Sequence, residues 1–416
     1  MRKRLLAAVL TLCLGTMTGC RTINKEITKP VYSKNPEHVT VGLNESWKYE
    51  LTDSKLQEVN FAGIVKVGDT EVSYQKGLET QANYIAKQID ELLSHVQEST
   101  GLQIPYKTKI FLIRLDRMPQ NYSVNFKVKA NEFGMPLFVE AGKESSTTII
   151  SQNVLYPYMF THEVVEMSLF WPKNGGRVLP DPAWEWCWFK ANVRNYTRWF
   201  REGLANYAGY IAYKTIQPEI DTKIALAERR RLHEHPFSSL SKVGKKLFKW
   251  HQYSDDGLDT DYYSAALGLF LLIRDKFGED AIKEIVLEVK KHQYLDGQDL
   301  AKITNKVLNV NIKKLAESFR FPETGLKMEP LTEATAMNKG YTLTKGLLVT
   351  SVEPNSLAER AEIKKGDVIL KIDGKPVEDN LDFELVIFKV MEQQNCKVLI
   401  WREGQTEVTL KLQLKN

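Results

Sequence analysis

Apolar residues recur every three to four positions over residues 76–97, with Tyr84, Ile85, Ile89, Leu92, Leu93 and Val96 on one face, which predicts a long amphipathic helix. The apolar run at 108–113 predicts a central strand, and 147–151 predicts a second. Between them the alternation at 122–126 gives way to Gly134 and Pro136, as in a hairpin or an irregular cover. Upstream, short alternating stretches at 38–41 and 61–65 predict edge strands or a cap. From about 153 to 320 the period is helical, with helices predicted over 155–169, 195–216, 223–232, 238–248, 261–275, 278–291, 297–306 and 311–319. A Pro- and Gly-rich insert at 171–188 carries Trp184, Trp186 and Trp188 at alternate positions. Phe321-Pro322-Glu323-Thr324-Gly325 breaks the helical pattern. Beyond it lie short strands at 346–352, 367–372, 397–401 and 407–414, with a helix over 380–391, which predicts a small strand-rich barrel.

The amino terminus changes how composition is read. Of the 416 residues 43% are hydrophobic and 26% charged, too apolar for a disordered chain and too charged for a bundle of membrane spans. Arg2, Lys3 and Arg4 precede an apolar stretch too short to span a bilayer, the pattern of a secretion signal. The segment Met17-Thr18-Gly19-Cys20 resembles the lipobox of bacterial lipoproteins, which implies cleavage before Cys20 and a lipid anchor on it. Arg21 is not the aspartate that favours inner-membrane retention, so the resemblance implies an outer-membrane anchor facing the periplasm. Loss of the leader takes the formal charge from +5 to +2, leaving no basic excess to suggest nucleic acid as a partner. Cys13 leaves with the leader, and Cys187 and Cys396 are expected as buried thiols. The organisation read from these features is a signal peptide (1–19), a tether (20–37), an N-terminal β-rich α+β part (38–152), a helical lobe (153–322) and a C-terminal module (326–416).

One constellation carries candidate chemistry. In Thr161-His162-Glu163-Val164-Val165-Glu166, His162 and Glu166 project from one helix face, and Glu163 beside them is placed to polarise water. A second helix carries Trp199-Phe200-Arg201-Glu202-Gly203-Leu204-Ala205-Asn206-Tyr207, where Gly203 suggests a close helix approach that would bring Glu202 to the pair. One nitrogen and two oxygen ligands with a position left for water suit zinc. Tyr262 and Tyr263 read as amphipathic core tyrosines. His233 and His235, two apart, read as solvent-facing loop residues rather than ligands.

These residues resemble the gluzincin metallopeptidases, whose motifs are His-Glu-x-x-His and Trp-x-x-Glu-Gly-x-Ala-x-Tyr; residues 199–207 match the second at every position. The resemblance implies His162 and Glu202 as zinc ligands, Glu163 as general base and one of Tyr262 and Tyr263, Tyr262 by a slight preference, as oxyanion donor, with Glu166 standing where the family has its second histidine. That departure leaves three outcomes open: a hydrolytic zinc site, a metal site without turnover, or no metal at all. The C-terminal module resembles a bacterial PDZ domain through Gly346-Leu347-Leu348-Val349, Pro354-Asn355-Ser356-Leu357-Ala358, Gly366-Asp367-Val368-Ile369 and Ile372-Asp373-Gly374. This implies capture of a peptide carboxyl terminus between residues 347–352 and the helix over 381–391, with Gly346, Leu347, Leu348 and Val349 as the peptide-binding segment. The fold class expected is therefore α+β: a zincin-like metallopeptidase domain, with a small sheet and a mostly helical lobe, followed by a PDZ β-barrel. Two functions follow, an envelope-anchored zinc metallopeptidase or a catalytically inactive protease-like lipoprotein that binds peptides as a scaffold.

Overall fold

The computed structural model describes residues 38–41, 61–104, 107–115, 126–129, 132–140, 156–170, 196–215, 235–250, 257–292, 295–393, 395–403 and 405–414. Cys20, Cys187, His233, the three tryptophans of the 171–188 insert, the helix predicted over 223–232 and the strand predicted over 147–151 lie outside these residues. Strand β1 (His38–Val41) pairs antiparallel with β5 (Phe126–Lys129). Strands β2 (Gly63–Val67), β3 (Thr70–Tyr74), β4 (Lys107–Leu115) and β6 (Glu132–Glu140) form a mixed sheet in the order β2-β3-β4-β6. β3 and β4 run parallel, so the chain must cross over between them, and helix α1 (Glu79–Thr100) makes that crossing. Its buried face carries Ile85, Ile89, Leu92 and Val96, and it stops at Gly101, which adopts a left-handed conformation with φ 69°. β6 occupies the stretch where the sequence predicts a hairpin or irregular cover. Parallel pairing with β4 over the whole of its length makes it a sheet strand.

Helix α2 (Tyr156–Phe170) turns Phe160 and Val164 toward the core formed by α1 and the sheet. Helix α3 (Arg198–Thr215) packs against α2 on one side and against α5 (Asp259–Phe277) on the other. A Cβ on Gly203 would lie 2.7 Å from the Phe270 ring and 3.0 Å from the Ala266 carbonyl, which explains the glycine inside α3. α4 (Pro236–Leu247), α6 (Glu279–Val289), α7 (Gly297–Leu308) and α8 (Ile312–Ser318) complete the helical body. The amphipathic spacing of α4 and α7 buries Phe237, Leu240, Val243 and Leu247 in one and Leu300, Ala301, Ile303 and Leu308 in the other.

The C-terminal module contains β7 (Leu326–Pro330), α9 (Glu333–Lys339), β8 (Leu347–Val352), α10 (Leu357–Arg360), β9 (Val368–Ile372), β10 (Lys375–Pro376), α11 (Asn380–Val390), β11 (Asn395–Arg402) and β12 (Gln405–Gln413). Its sheet runs β12-β11-β9-β8-β7, with β10 hairpinned onto β9 through Asp373 and Gly374, both at positive φ. Arg402 grips buried Asp367 through Nε and Nη2, each at 2.7 Å, and ties the end of β11 to the turn before β9. Cys396 is a buried free thiol whose pKa is pushed up to about 12 by burial. Apolar side chains of the helical body, among them Phe237 and Phe319, belong to the same buried cluster as Leu347, Val386 and Ile400 of the module.

The peptide groove expected beside residues 347–352 is corrected by this topology. β8 pairs with β7 along its length, and its other side is taken by β9 at Leu347 and Leu348 and by Asp367 and Gly366 at Val349. The Gly346 carbonyl accepts from the Leu331 amide at 2.8 Å. An interior strand has no free ladder groups to offer, so Gly346, Leu347, Leu348 and Val349 cannot receive an added strand. β7 is one edge of the sheet, opposite β12; among the described residues it pairs with β8 alone, and α11 packs alongside it.

Candidate functional site

The close packing of α2 on α3 brings three predicted residues together. One ligand-type atom from each of His162, Glu166 and Glu202 lies within 4.8 Å of the others. His162 Nε2 is 3.7 Å from Glu166 and 3.6 Å from Glu202, both beyond hydrogen-bond length. The imidazole is held from its other side, where Nδ1 lies 2.9 Å from Asn206 Oδ1. That oxygen also accepts from the Tyr158 hydroxyl at 3.0 Å, and the Asn206 amide nitrogen donates to the Tyr263 carbonyl at 3.1 Å. The network orients Asn206 with its oxygen toward the ring, so Nδ1 carries the proton and Nε2 faces the carboxylates. Asn206 falls one turn after Glu202, a spacing that could have marked it in the sequence.

Two arginines complete the site, and neither was assigned a role from the sequence. Arg201 Nε lies 2.8 Å from Glu166 Oε1, and its Nη2 lies 2.9 Å from Glu202 Oε1. Arg198 adds a contact at 3.2 Å to the same Glu202 oxygen, donates to the Tyr263 hydroxyl and lies over the Trp250 ring at 4.5 Å. The signal that could have found Arg198 is its position one turn before Glu202 on the same helix. Tyr263 stands at the edge of this network, whereas Tyr262 is core, stacked on Trp250 at 5.5 Å. Of the two tyrosines singled out in the sequence, Tyr263 is thus the one at the site. Trp199 is fully buried against Phe200 and Phe248.

The electrostatics follow from burial and from the arginines. Burial raises Glu202, but Arg201, then Arg198 and His162, outweigh it and hold the carboxyl at about 2. Burial, and then the Glu202 charge, push Glu166 up to about 7 against the pull of Arg201. Glu163 is raised chiefly by burial. For His162 burial acts downward, but Glu163, Glu166 and Glu202 together lift it above its ordinary value. Buried carboxylates, guanidinium groups and imidazole therefore balance one another within the site.

This geometry does not fit zinc. A divalent cation shared by Glu166 and Glu202 would sit close to the Arg201 guanidinium, which already touches both carboxylates, and like charges in a buried site repel strongly. The arginines pair the Oε1 atoms of both carboxylates, while their Oε2 atoms face His162 Nε2, so two of the three groups expected as ligands are already engaged by cations.

Comparison with known proteins places the recognised part of the chain in its C-terminal module. The PDZ domain family model matches residues 322–414. A protein named serine protease HtrA-like from Staphylococcus epidermidis is 32% identical over 117 residues, covering 25% of this chain and 20% of that protein. One of the same name from Staphylococcus aureus is 33% identical over 99 residues, covering 22% of this chain and 13% of that protein. The chain thus spans a fifth or less of the curated relatives it matches. Among solved structures, the HtrA3 PDZ domain bound to a phage-derived ligand matches at 22% identity and a TM-score of 0.20, over 22% of this chain and 83% of that one. The HtrA-type protease AlgW with a decapeptide matches at 21% identity and a TM-score of 0.23, over 29% of this chain and 34% of that one. The shared share of this chain is about the size of the module, and serine-protease chemistry is the relatives' own description. The curated relatives carry the name serine protease HtrA-like. With Arg201 lodged on both carboxylates, they overturn the expectations of a zincin-like fold, a gluzincin metallopeptidase and a catalytic zinc held by His162, Glu166 and Glu202. Residues 322–414 are a PDZ domain, carried by a helical body whose buried charges are paired with one another.

Proposed function

We propose that the chain is a tethered peptide-binding protein, in which the PDZ domain captures peptide or protein chain ends and the helical body serves as a non-hydrolytic scaffold. The observation that carries this reading is β7, which ends the sheet with α11 beside it. A peptide entering there would extend the sheet by one strand through backbone hydrogen bonds, and side chains facing α11 would set the preference. The glycine-containing loop that leads into this strand is Glu323-Thr324-Gly325, with Gly325 at φ 74°. Its backbone amides are the candidates to receive a terminal carboxylate. The leader and Cys20 support the remaining part of the reading, a lipid tether that holds the domain at the cell envelope. No described helix is long and apolar enough to cross a membrane.

The test uses a fluorescein-labelled array of the pentapeptide FGRWV and its variants at the last position, each with a free and an amidated carboxyl terminus. Fluorescence anisotropy with the full chain is expected to show at least one member bound and weakened tenfold or more by amidation. If no member binds, or if amidation changes nothing, chain-end recognition is wrong.

A further inference from the structure

The helix that walls the β7 edge is also the one that meets the helical body. α4 begins with Pro236, and the His235 side chain makes no cap to its first-turn amides. Those amides are capped from the other end of the chain. Phe237 N donates to Glu384 Oε2 at 2.7 Å and Ser238 N to the same oxygen at 3.2 Å. The Ser238 hydroxyl donates to Glu384 Oε1, and His235 Nδ1 lies 3.3 Å from that atom. Glu384, on α11, is a buried carboxylate set where the α4 dipole favours negative charge. The start of α4 is also packed tightly on α5. Gly268 of α5 lies under it so closely that a Cβ there would come within 2.2 Å of the Pro236 carbonyl oxygen.

Phe237 makes the contact a clamp. Its ring is fully buried and stacks on Phe388 of α11 at 4.1 Å and 8°, and on Phe321 at 6.0 Å and 19°. Phe321 immediately precedes the loop that leads into β7. One side chain of the helical body therefore packs against α11 and against the lead-in to the edge strand, the two walls between which a peptide would have to enter.

We propose that Phe237 and Glu384 form an intramolecular latch that holds the PDZ groove in a closed setting, so that peptide binding and the latched contact oppose each other. The inference rests on the peptide-binding reading above. An added strand needs room between β7 and α11, and moving either wall loosens the Phe237 stack or draws Glu384 off the α4 amides. The coupling is reciprocal, so whatever factor the latch costs the peptide, the peptide costs the latch.

Two substitutions on opposite sides of the contact test it in the full chain, Phe237→Leu on the body and Glu384→Gln on the domain. Both are expected to tighten binding of the FGRWV array peptides at least fivefold. Hydrogen exchange on the unmodified chain gives a second readout, with the Phe237 and Ser238 amides exchanging at least tenfold faster at saturating peptide. Peptide binding by the unmodified chain that neither substitution tightens, or unchanged protection of these amides when peptide is bound, overturns the latch and leaves the peptide reading standing. Absence of binding by the unmodified chain and by both variants overturns both.

Discussion

At the scale of single residues, Arg201 decides the character of the buried site. It touches Glu166 and Glu202 together, and both it and Glu202 are almost wholly excluded from solvent. Removing one partner of a buried pair leaves the others charged and unsolvated. Arg201→Ala is therefore expected to destabilise the fold by about 3 kcal/mol in urea unfolding, the lower end of such losses because Arg198 still pairs with Glu202. A cost near zero would show that the network is relaxed by water. The site also sets a pH dependence. Glu166 titrates at about 7 in the fold against 4.5 ordinarily, so its protonated form stabilises fully below pH 4.5 and that contribution is lost as the pH rises toward 7. His162, raised above 6.5, acts in the same sense, its contribution complete below 6.5 and lost above. Glu202, held at about 2, acts oppositely, stabilising above 4.5 and losing that contribution as the pH falls toward 2. The thermal midpoint should fall between pH 5 and pH 8, and Glu166→Gln should reduce that fall. An equal fall in the variant would assign the pH dependence elsewhere.

At the scale of elements, the three-to-four spacing of apolar residues made most of the helices legible. The helix predicted over 155–169 runs Tyr156–Phe170, and that over 195–216 runs Arg198–Thr215. Gly203 marks a tight helix approach, but to α5 and not to the helix of His162 and Glu166 as expected, and a methyl group there would press on Phe270 and on the Ala266 backbone. Gly203→Ala is expected to cost about 1–3 kcal/mol by overpacking, measurable as a lowered thermal midpoint. A neutral effect would mean that α3 and α5 can separate freely. The pairing of α2 with α3 was also anticipated, since His162, Glu166 and Glu202 do converge. What the motif did not disclose is that Arg201 crosses to Glu166 on the neighbouring helix, because spacing along one helix does not show which side chain reaches the other. Metal analysis of protein purified without chelator is expected to find no stoichiometric zinc. Stoichiometric zinc that disappears in Glu202→Gln would show that the site holds the metal after all. In the module, β7 escaped notice because five residues ending in Pro330 give too little alternation to mark a strand.

At the scale of the whole molecule, the helical body and the PDZ domain share a buried cluster through Phe237, Phe319, Phe321 and the α11 side chains. Such continuity predicts that they unfold together, so calorimetry of the full chain should show a single endotherm. Two resolved transitions would show that the domains are energetically separate. The sequence by itself determined the helical spacing of the body, the texture change after residue 321 and the PDZ motifs, because each is written in neighbouring residues. Only the tertiary structure decided that β7 rather than β8 is the open edge, that Arg201 closes over the carboxylates, and that Glu384 caps a helix 147 residues away. Edge position, charge neutralisation and capping in this chain depend on groups that meet only after folding, and no local pattern encodes which distant side chain arrives.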